Sequence, residues 1–353
     1  AHHRRAAGRA LVKIGVIGGG GWGTALSIVL ESRGHQVTLW VYEADLAEHM
    51  QRSRVNERFL PGVSIPEAVR ITSSLSEASA GAESLLFVPP SHALRSTAAR
   101  LVEEAPGSLG SVEWVTVATK GIETRSLKRP SEVLAEILPA PLRDRIVVLA
   151  GPSHAEEVAR RIPTLIVAAS RDAALAQRTQ EAFHTEWLRI YTNDDVAGVE
   201  IGVALKNVIA IAAGIADGLG FGDSTKAALL TRGLAEMGRL AAKLGARPET
   251  LSGLAGMGDL IATAGSRHSR NRRFGEAVGR GATVKEALAA SPMVVEGVAT
   301  AEAAVALGRR EGVELPIMEQ VHAILHEGKS ARSALRELLT RDLKSEAPTM
   351  SRR

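Results

Sequence analysis

The sequence predicts an α/β protein in two parts: an N-terminal domain on a largely parallel sheet over residues 11–195, then an all-helical domain over 196–341. Two changes of pattern carry this reading. From Leu11 to about Tyr191, short apolar runs alternate with amphipathic stretches, as strand-helix-strand units do; after about Val196 the chain turns to long Ala- and Leu-rich segments at helical spacing with glycine breaks. The length of 353 residues gives room for two cores. Residues 1–10 and 342–353 read as disordered tails.

The apolar runs place strands at Val12–Ile17, Gln36–Val41, Val69–Thr72, Ser84–Pro89, Trp114–Ala118 and Ile146–Ala150, with Thr164–Ala169 and Leu188–Thr192 extending the same sheet. Helical spacing then covers Val199–Leu219, Ser224–Leu244, Arg270–Gly279, Val284–Ala290 and Thr300–Glu311. No Pro- or Ser-rich linker separates the halves, so they are expected to pack closely around a cleft.

Composition excludes several function classes. There is no Cys, which removes disulfides, thiolate metal sites and Cys nucleophiles, is compatible with a reducing compartment, and gives a cytoplasmic expectation. The formal charge is +4 and the pI about 9.6, but Arg4, Arg5, Arg9, Arg352 and Arg353 lie in the tails, and without those five the charge is −1. With no long basic stripe and few aromatics, nucleic-acid binding is not expected. The longest strongly apolar run, Val208 to Ala216, is well short of the roughly 20 residues of a membrane span, so no spanning helix is expected either.

Gly18, Gly20 and Gly23 form Gly-x-Gly-x-x-Gly between the first strand and the following helix, and Glu43 stands twenty residues beyond Gly23, after the second strand. In that context the pattern reads as a dinucleotide fingerprint: Gly18 for the tight turn, Gly20 for close approach of a pyrophosphate, Gly23 for helix packing, and the helix N-terminus toward the anion. Trp22 either packs over the cofactor or fills the core. Val41-Tyr42-Glu43 contains no basic side chain and Glu43 would repel a 2′-phosphate, so NAD is expected over NADP unless Arg52 or Arg54 folds back.

The chemistry-bearing residues lie further on. The run from Ser266 to Gly275, seven residues after Gly256-Met257-Gly258-Asp259, packs hydroxyls, an amide and several guanidinium groups into one stretch, the donors that a phosphate needs. Its other reading is a solvated basic helix start, with Arg272 and Arg273 the members best suited to mere support. Lys206 and Asn207 interrupt an otherwise apolar helical segment, so Lys206 is either a buried, proton-labile amine or a lysine snorkelling to the surface. Lys120 follows a predicted central strand, where the carboxyl ends line the cleft, or is an exposed loop cation. Ser153, in Gly151-Pro152-Ser153-His154, either faces a ligand or caps a helix with Glu156.

Taken together, Gly18 to Ala25, Asn56 to Gly62, Lys120-Gly121, Gly151 to Val158, Glu200 through Gly222, Gly256 to Asp259, Ser269 to Gly275 and Val295-Glu296-Gly297 resemble the NAD(P)-dependent sn-glycerol-3-phosphate dehydrogenase family, bacterial type, over nearly the whole chain. The resemblance implies a Rossmann domain, a helical C-terminal domain, a homodimer, and interconversion of glycerol 3-phosphate and dihydroxyacetone phosphate in support of phospholipid synthesis. It implies catalytic roles for Lys206, Lys120 and Asp259, with Lys206 exchanging the proton. Substrate contacts are implied for Lys120, Gly151, Ser153, Lys206, Asn207, Asp259, Ser269, Arg270 and Asn271. Cofactor contacts fall on Gly18, Gly20, Gly21, Trp22, Gly23, Tyr42, Glu43, Lys120, Ala155, Arg270, Val294 and Glu296. No metal is required. The chain departs from the family at Tyr42-Glu43, where His or Arg is frequent, and at Gly21, where Ser is common.

Two other functions compete. A 3-hydroxy-acid dehydrogenase of similar architecture would need a carboxylate site, against which Ser269-Arg270-Asn271 argues. A catalytically silent NAD-binding regulator would not need Lys206, Lys120 and Asp259 together.

Overall fold

All eight expected strands lie side by side, their ends shifted by no more than two residues. The computed structural model of the protein describes residues 11–291 and 293–343. Its strands are β1 (Lys13–Ile17), β2 (Gln36–Trp40), β3 (Val55–Asn56), β4 (Leu60–Ser64), β5 (Arg70–Thr72), β6 (Ser84–Phe87), β7 (Trp114–Val117), β8 (Ile146–Ala150), β9 (Thr164–Ala169) and β10 (Leu188–Asn193). The main sheet has the order β10-β9-β8-β7-β6-β1-β2-β5 and is parallel except where β9 meets β8. Chain direction reverses there, so β9 and β10 run together against the other six. The expected tails, save Asp342 and Leu343, lie outside the described residues.

The order puts β1 between β6 and β2, so successive crossovers leave the sheet in opposite directions beside β1. That is where an open sheet forms a crevice at its carboxyl edge. Gly18, Pro89, Lys120 and Gly151 stand just beyond β1, β6, β7 and β8 on this edge. The β3–β4 hairpin was not anticipated, because β3 is two residues long and β4 contains Pro61-Gly62, leaving no alternating pattern. It is tied to the glycine turn by Asn56, whose Nδ2 donates to the Gly19 carbonyl and to Thr24 Oγ1, both at 2.9 Å.

The helical half is organised around the Val196–Gly218 helix, buried from Gly198 to Ala216. This corrects the expectation about membranes: at 23 residues the helix is long and apolar enough to span a bilayer, since its few polar residues do not break its mean hydropathy. Its apolar window is wholly buried inside the protein, where it forms the centre of a core with Leu240, Phe274, Ala304, Leu307 and Met318.

Glycines inside this helix do not break it, contrary to the reading of glycine as a boundary. They let a neighbour approach to backbone contact. A Cβ at Gly214 would sit 2.0 Å from the Arg272 carbonyl oxygen and one at Gly218 2.3 Å from that of Glu276; across the seam, a Cβ at Gly275 would sit 2.1 Å from the Ile211 oxygen and one at Gly279 2.4 Å from that of Ile215. The Arg270–Gly279 helix therefore lies directly against the central helix.

Gly275→Ala is expected to destabilise the protein by about 1–3 kcal/mol through overpacking. Gly238→Ala, in a helix where nothing lies within 4 Å of the added methyl, should be neutral or stabilising by up to ~1 kcal/mol. Thermal unfolding of the two variants checks the contrast, and equal midpoints would contradict it.

Candidate active site

The carboxyl edge of the sheet and the helical half enclose a cavity of about 790 Å³. At one end the glycine turn leaves β1 with Gly18 at φ +132°, and the Gly21–Ser32 helix begins with no side-chain cap on its first amides. No protein atom lies within 4 Å of a Cβ placed on Gly20, whereas one on Gly23 would meet the Gly18 carbonyl oxygen at 1.9 Å. Uncapped amides, open space at Gly20 and tight packing at Gly23 fit a dinucleotide's pyrophosphate. A Cβ on Gly21 would lie 2.5 Å from the Phe59 carbonyl oxygen, so the hairpin leaves no room for Ser there. Trp22 lines the cavity and also packs against the sheet core.

At the centre are two lysines and one carboxylate. Lys206, from the central helix, is buried rather than snorkelling, and its Nζ donates to Asp259 Oδ1 at 3.0 Å and Thr263 Oγ1 at 2.5 Å. Lys120 Nζ donates to Asp259 Oδ2 and to the Gly151 carbonyl, each at 3.0 Å, so it is no loose surface cation. Asp259 opens the Asp259–Gly265 helix directly after a π-helical turn, Leu254–Gly258. Burial pushes the Lys206 pKa down, Lys120 and Arg270 push the same way, and Asp259 opposes them, leaving it at about 7. Burial pushes Asp259 up, but the two ammonium groups outweigh it and hold the carboxyl below its ordinary range. The result is an amine that exchanges a proton near neutrality, held on the same carboxylate as Lys120.

Beyond Lys206 lies the arginine-rich run. Ser269 caps the Arg270–Gly279 helix, accepting from the Arg272 amide, and the helix start faces the cavity. Asn271 Nδ2 donates to Asn207 Oδ1, and Asn271 Oδ1 accepts from the Gly297 amide, both at 2.9 Å. Arg270 lines the cavity and donates to the Val294 carbonyl at 2.9 Å. Arg272 turns away, pairing with Asp217 at 2.7 Å, and Arg273 is exposed. The stretch thus divides between cavity wall and support.

Two expected contacts are not cavity-lining. Asp259 sits behind the two lysines, too deeply buried to meet a ligand, and Gly151 offers its carbonyl to Lys120 instead. Ser153 does line the cavity, but the expected capping box does not form: His154 is the N-cap of the Ala155–Ala159 helix, and Ser153 Oγ donates to the Gly151 carbonyl. Ala155, Val294, Tyr42 and Glu43 line the cavity, with Tyr42 and Glu43 at the end just beyond β2. Glu296 also lines it, but its carboxylate accepts from the Ser91 amide at 3.1 Å and Ser91 Oγ at 2.5 Å, joining the two halves.

Neither Arg52 nor Arg54 folds back toward Glu43. Arg54 donates to the carbonyls of Ile65 and Val69, and Arg52 is exposed. Two unanticipated guanidinium groups, Arg58 and Arg100, line that end of the cavity. The reading also missed Thr263, although its position one turn after Asp259 was a usable signal, and the wall residues His154 and His268. A smaller hollow of about 480 Å³, between Val167, Asn193, Arg247 and Leu254, contains none of the expected site residues.

With this geometry in hand, the chain can be set beside known proteins. Residues 13–176 match the family described as NAD-dependent glycerol-3-phosphate dehydrogenase N-terminus, and residues 195–336 match its C-terminus. A relative from Geobacter sulfurreducens named glycerol-3-phosphate dehydrogenase, NAD(P)+, is 52% identical over 334 residues, which cover 95% of this chain and 98% of the relative. A Chlorobium phaeobacteroides protein of the same name is 48% identical, with 95% and 99% covered. The crystal structure of glycerol-3-phosphate dehydrogenase from Coxiella burnetii superposes with a TM-score of 0.88 at 39% identity, covering 94% of this chain and 99% of that one.

Proposed function

Because the chain belongs to the NAD-dependent glycerol-3-phosphate dehydrogenase family, we infer that this cleft is where it interconverts sn-glycerol 3-phosphate and dihydroxyacetone phosphate. The observation that carries the assignment of roles is the placement of Lys206, with a pKa of about 7, on the same carboxylate as Lys120 and beside the cavity-lining Ser269, Arg270 and Asn271.

Bound NAD(P) supplies the hydride acceptor for alcohol oxidation and the donor for the reverse reaction. Lys206 Nζ takes the hydroxyl proton in oxidation and returns it in reduction, while Asp259 and Thr263 fix where the amine stands. Lys120 stabilises charge developing on the oxygen. Ser269, Arg270 and Asn271 hold the substrate phosphate, supported by a helix N-terminus and by an arginine that is exposed to the cavity. Asn207 orients Asn271 through their mutual hydrogen bond. The Gly18–Gly23 turn, Trp22, Ala155, Val294 and Glu296 form the cofactor wall.

The competing 3-hydroxy-acid and silent-regulator readings are not favoured by relatives near half identity over nearly the full length. The reading includes a division into domains at about residue 195, supported by the end of the sheet at Asn193 and the start of the central helix at Val196. It extends to a homodimer in the cytoplasm: the family resemblance supports the first, and the absence of cysteine is compatible with the second.

Lys206→Ala is expected to lower turnover by 10²-fold or more, while NADH binding, followed by fluorescence, remains measurable. NADH oxidation should proceed with dihydroxyacetone phosphate and fail with unphosphorylated dihydroxyacetone; equal rates with both would remove the phosphate site from the account.

The pH profile follows from the direction of the Lys206 shift. Oxidation needs the neutral amine, so its rate should rise with pH through about 7; reduction needs the ammonium, so its rate should fall over the same range. Initial rates in the two directions measure this, and parallel profiles would assign the proton transfer elsewhere.

A further inference from the structure

The end of the cavity just beyond β2 carries more positive charge than the sequence suggested. Resting on the cofactor-site reading above, we propose that Arg58 and Arg100, standing in for the His or Arg frequent in the family at Tyr42-Glu43, form the subsite that holds an NADP 2′-phosphate beside Glu43.

Glu43 alone would select a cofactor with free ribose hydroxyls, because a carboxylate accepts from hydroxyls and repels a phosphate. It is not alone. The hairpin brings Arg58 across the cavity end until its Nη1 stands 3.4 Å from Glu43 Oε1, with the guanidinium 5.1 Å over the Phe59 ring. Asn56 sets this position, since it fastens the hairpin to the glycine turn two residues before Arg58. Both members of the pair are partly exposed, Arg58 54% and Glu43 32%. An ion pair at that exposure is held weakly, and its partners exchange readily.

Arg100 approaches from the Ser91–Glu104 helix, its Cζ 6.0 Å from the ring centres of both Trp40 and Tyr42. Glu104 accepts from its Nε at 3.1 Å and Nη2 at 3.0 Å, which leaves Nη1 without a hydrogen bond among the described residues. Trp40, Tyr42, Glu43, Arg58 and Arg100 all line the cavity, so the two guanidinium groups and the carboxylate share one corner of it. With NAD, Glu43 accepts from the ribose and Arg58 neutralises its charge. With NADP, Arg58 exchanges Glu43 for the phosphate, and Arg100 donates from the nitrogen it has free. A guanidinium suits a phosphate better than it suits one distant carboxylate oxygen, because it offers two parallel donors.

The test is direct titration of the wild type and variants with NADH and NADPH, read by tryptophan fluorescence, since Trp22 and Trp40 line the cavity. The quantity read is the ratio of the NADPH to the NADH dissociation constant. Arg58→Gln should raise the ratio about tenfold, Arg100→Gln should raise it severalfold, and Glu43→Gln should lower it, each by the gain or loss of a charge-assisted contact. Adenosine 2′,5′-bisphosphate should compete with NADPH more strongly than ADP does in the wild type, and lose that advantage in Arg58→Gln. Arg58→Lys, which keeps the charge, should recover part of the ratio. Wild type that binds NADH, with ratios unmoved in all three charge-removing variants, overturns the subsite alone. Wild type that binds neither cofactor overturns the cofactor-site reading and the subsite with it.

Discussion

Asp259 accepts hydrogen bonds from Lys120, which rides on the carboxyl edge of the sheet, and from Lys206, which rides on the central helix of the other half. A carboxylate this deeply buried is tolerable only with its charge matched, and removing one partner of such a buried pair typically costs about 3–5 kcal/mol. Here the match is uneven, because two ammonium groups share one carboxylate. The surplus is relieved in part by the fall of the Lys206 pKa to about 7. An anionic ligand in the cavity would relieve the rest. One carboxylate therefore joins the halves, makes a proton mobile, and leaves the site short of negative charge.

For Asp259 to reach both lysines, its own segment must sit against the central helix, and glycine permits this. A Cβ on Gly202 would lie 2.6 Å from the Ala255 carbonyl oxygen, within the π-helical turn that ends at Asp259. Gly202 stands one helical turn before Lys206, so the same groove that seats the turn sets the distance between amine and carboxylate. Gly214 and Gly218 repeat the device about three to four turns later for the helix that carries Ser269, Arg270 and Asn271. Each helical glycine costs roughly 0.5–1 kcal/mol in propensity. The close helix contact it permits, buried on all sides, offsets that cost and aligns two separate segments on one helix.

What could be read from the sequence follows from how locally it is encoded. The main strands and long helices were legible because apolar runs and helical spacing are properties of neighbouring residues. Lys206 and Asn207 were legible because a charge and an amide in an apolar helix contradict their surroundings. The β3–β4 hairpin was not, being too short to show alternation. Arg58 and Arg100 were not, because their meeting around Glu43 depends on a hairpin fold and a separate helix. The division of the arginine run depended on Asp217, whose carboxylate draws Arg272 away from the cavity and leaves Arg270 in it. Asp259 was named beside Lys206 and Lys120 by the family resemblance, but its depth behind both lysines was a fact of packing.

The stretch from Val294 to Glu296 shows why the cofactor and substrate ends cannot be treated as separate sites. Arg270 donates to the Val294 carbonyl, while two residues later Glu296 accepts from the start of the Ser91–Glu104 helix in the other half. Gly121, next to Lys120, fits between Ser91 and Glu296 only because it lacks a side chain; a Cβ there would lie 2.9 Å from Ser91 Cβ and 3.1 Å from Glu296 Oε2. The proposed phosphate-holding arginine, the proposed cofactor wall and the charge-stabilising lysine are therefore braced against one short segment. Hydride transfer depends on holding two reacting atoms in register, and small displacements are costly. A brace common to both ligands keeps that register, because a shift of the segment displaces the substrate anchor and the cofactor wall together and not one against the other.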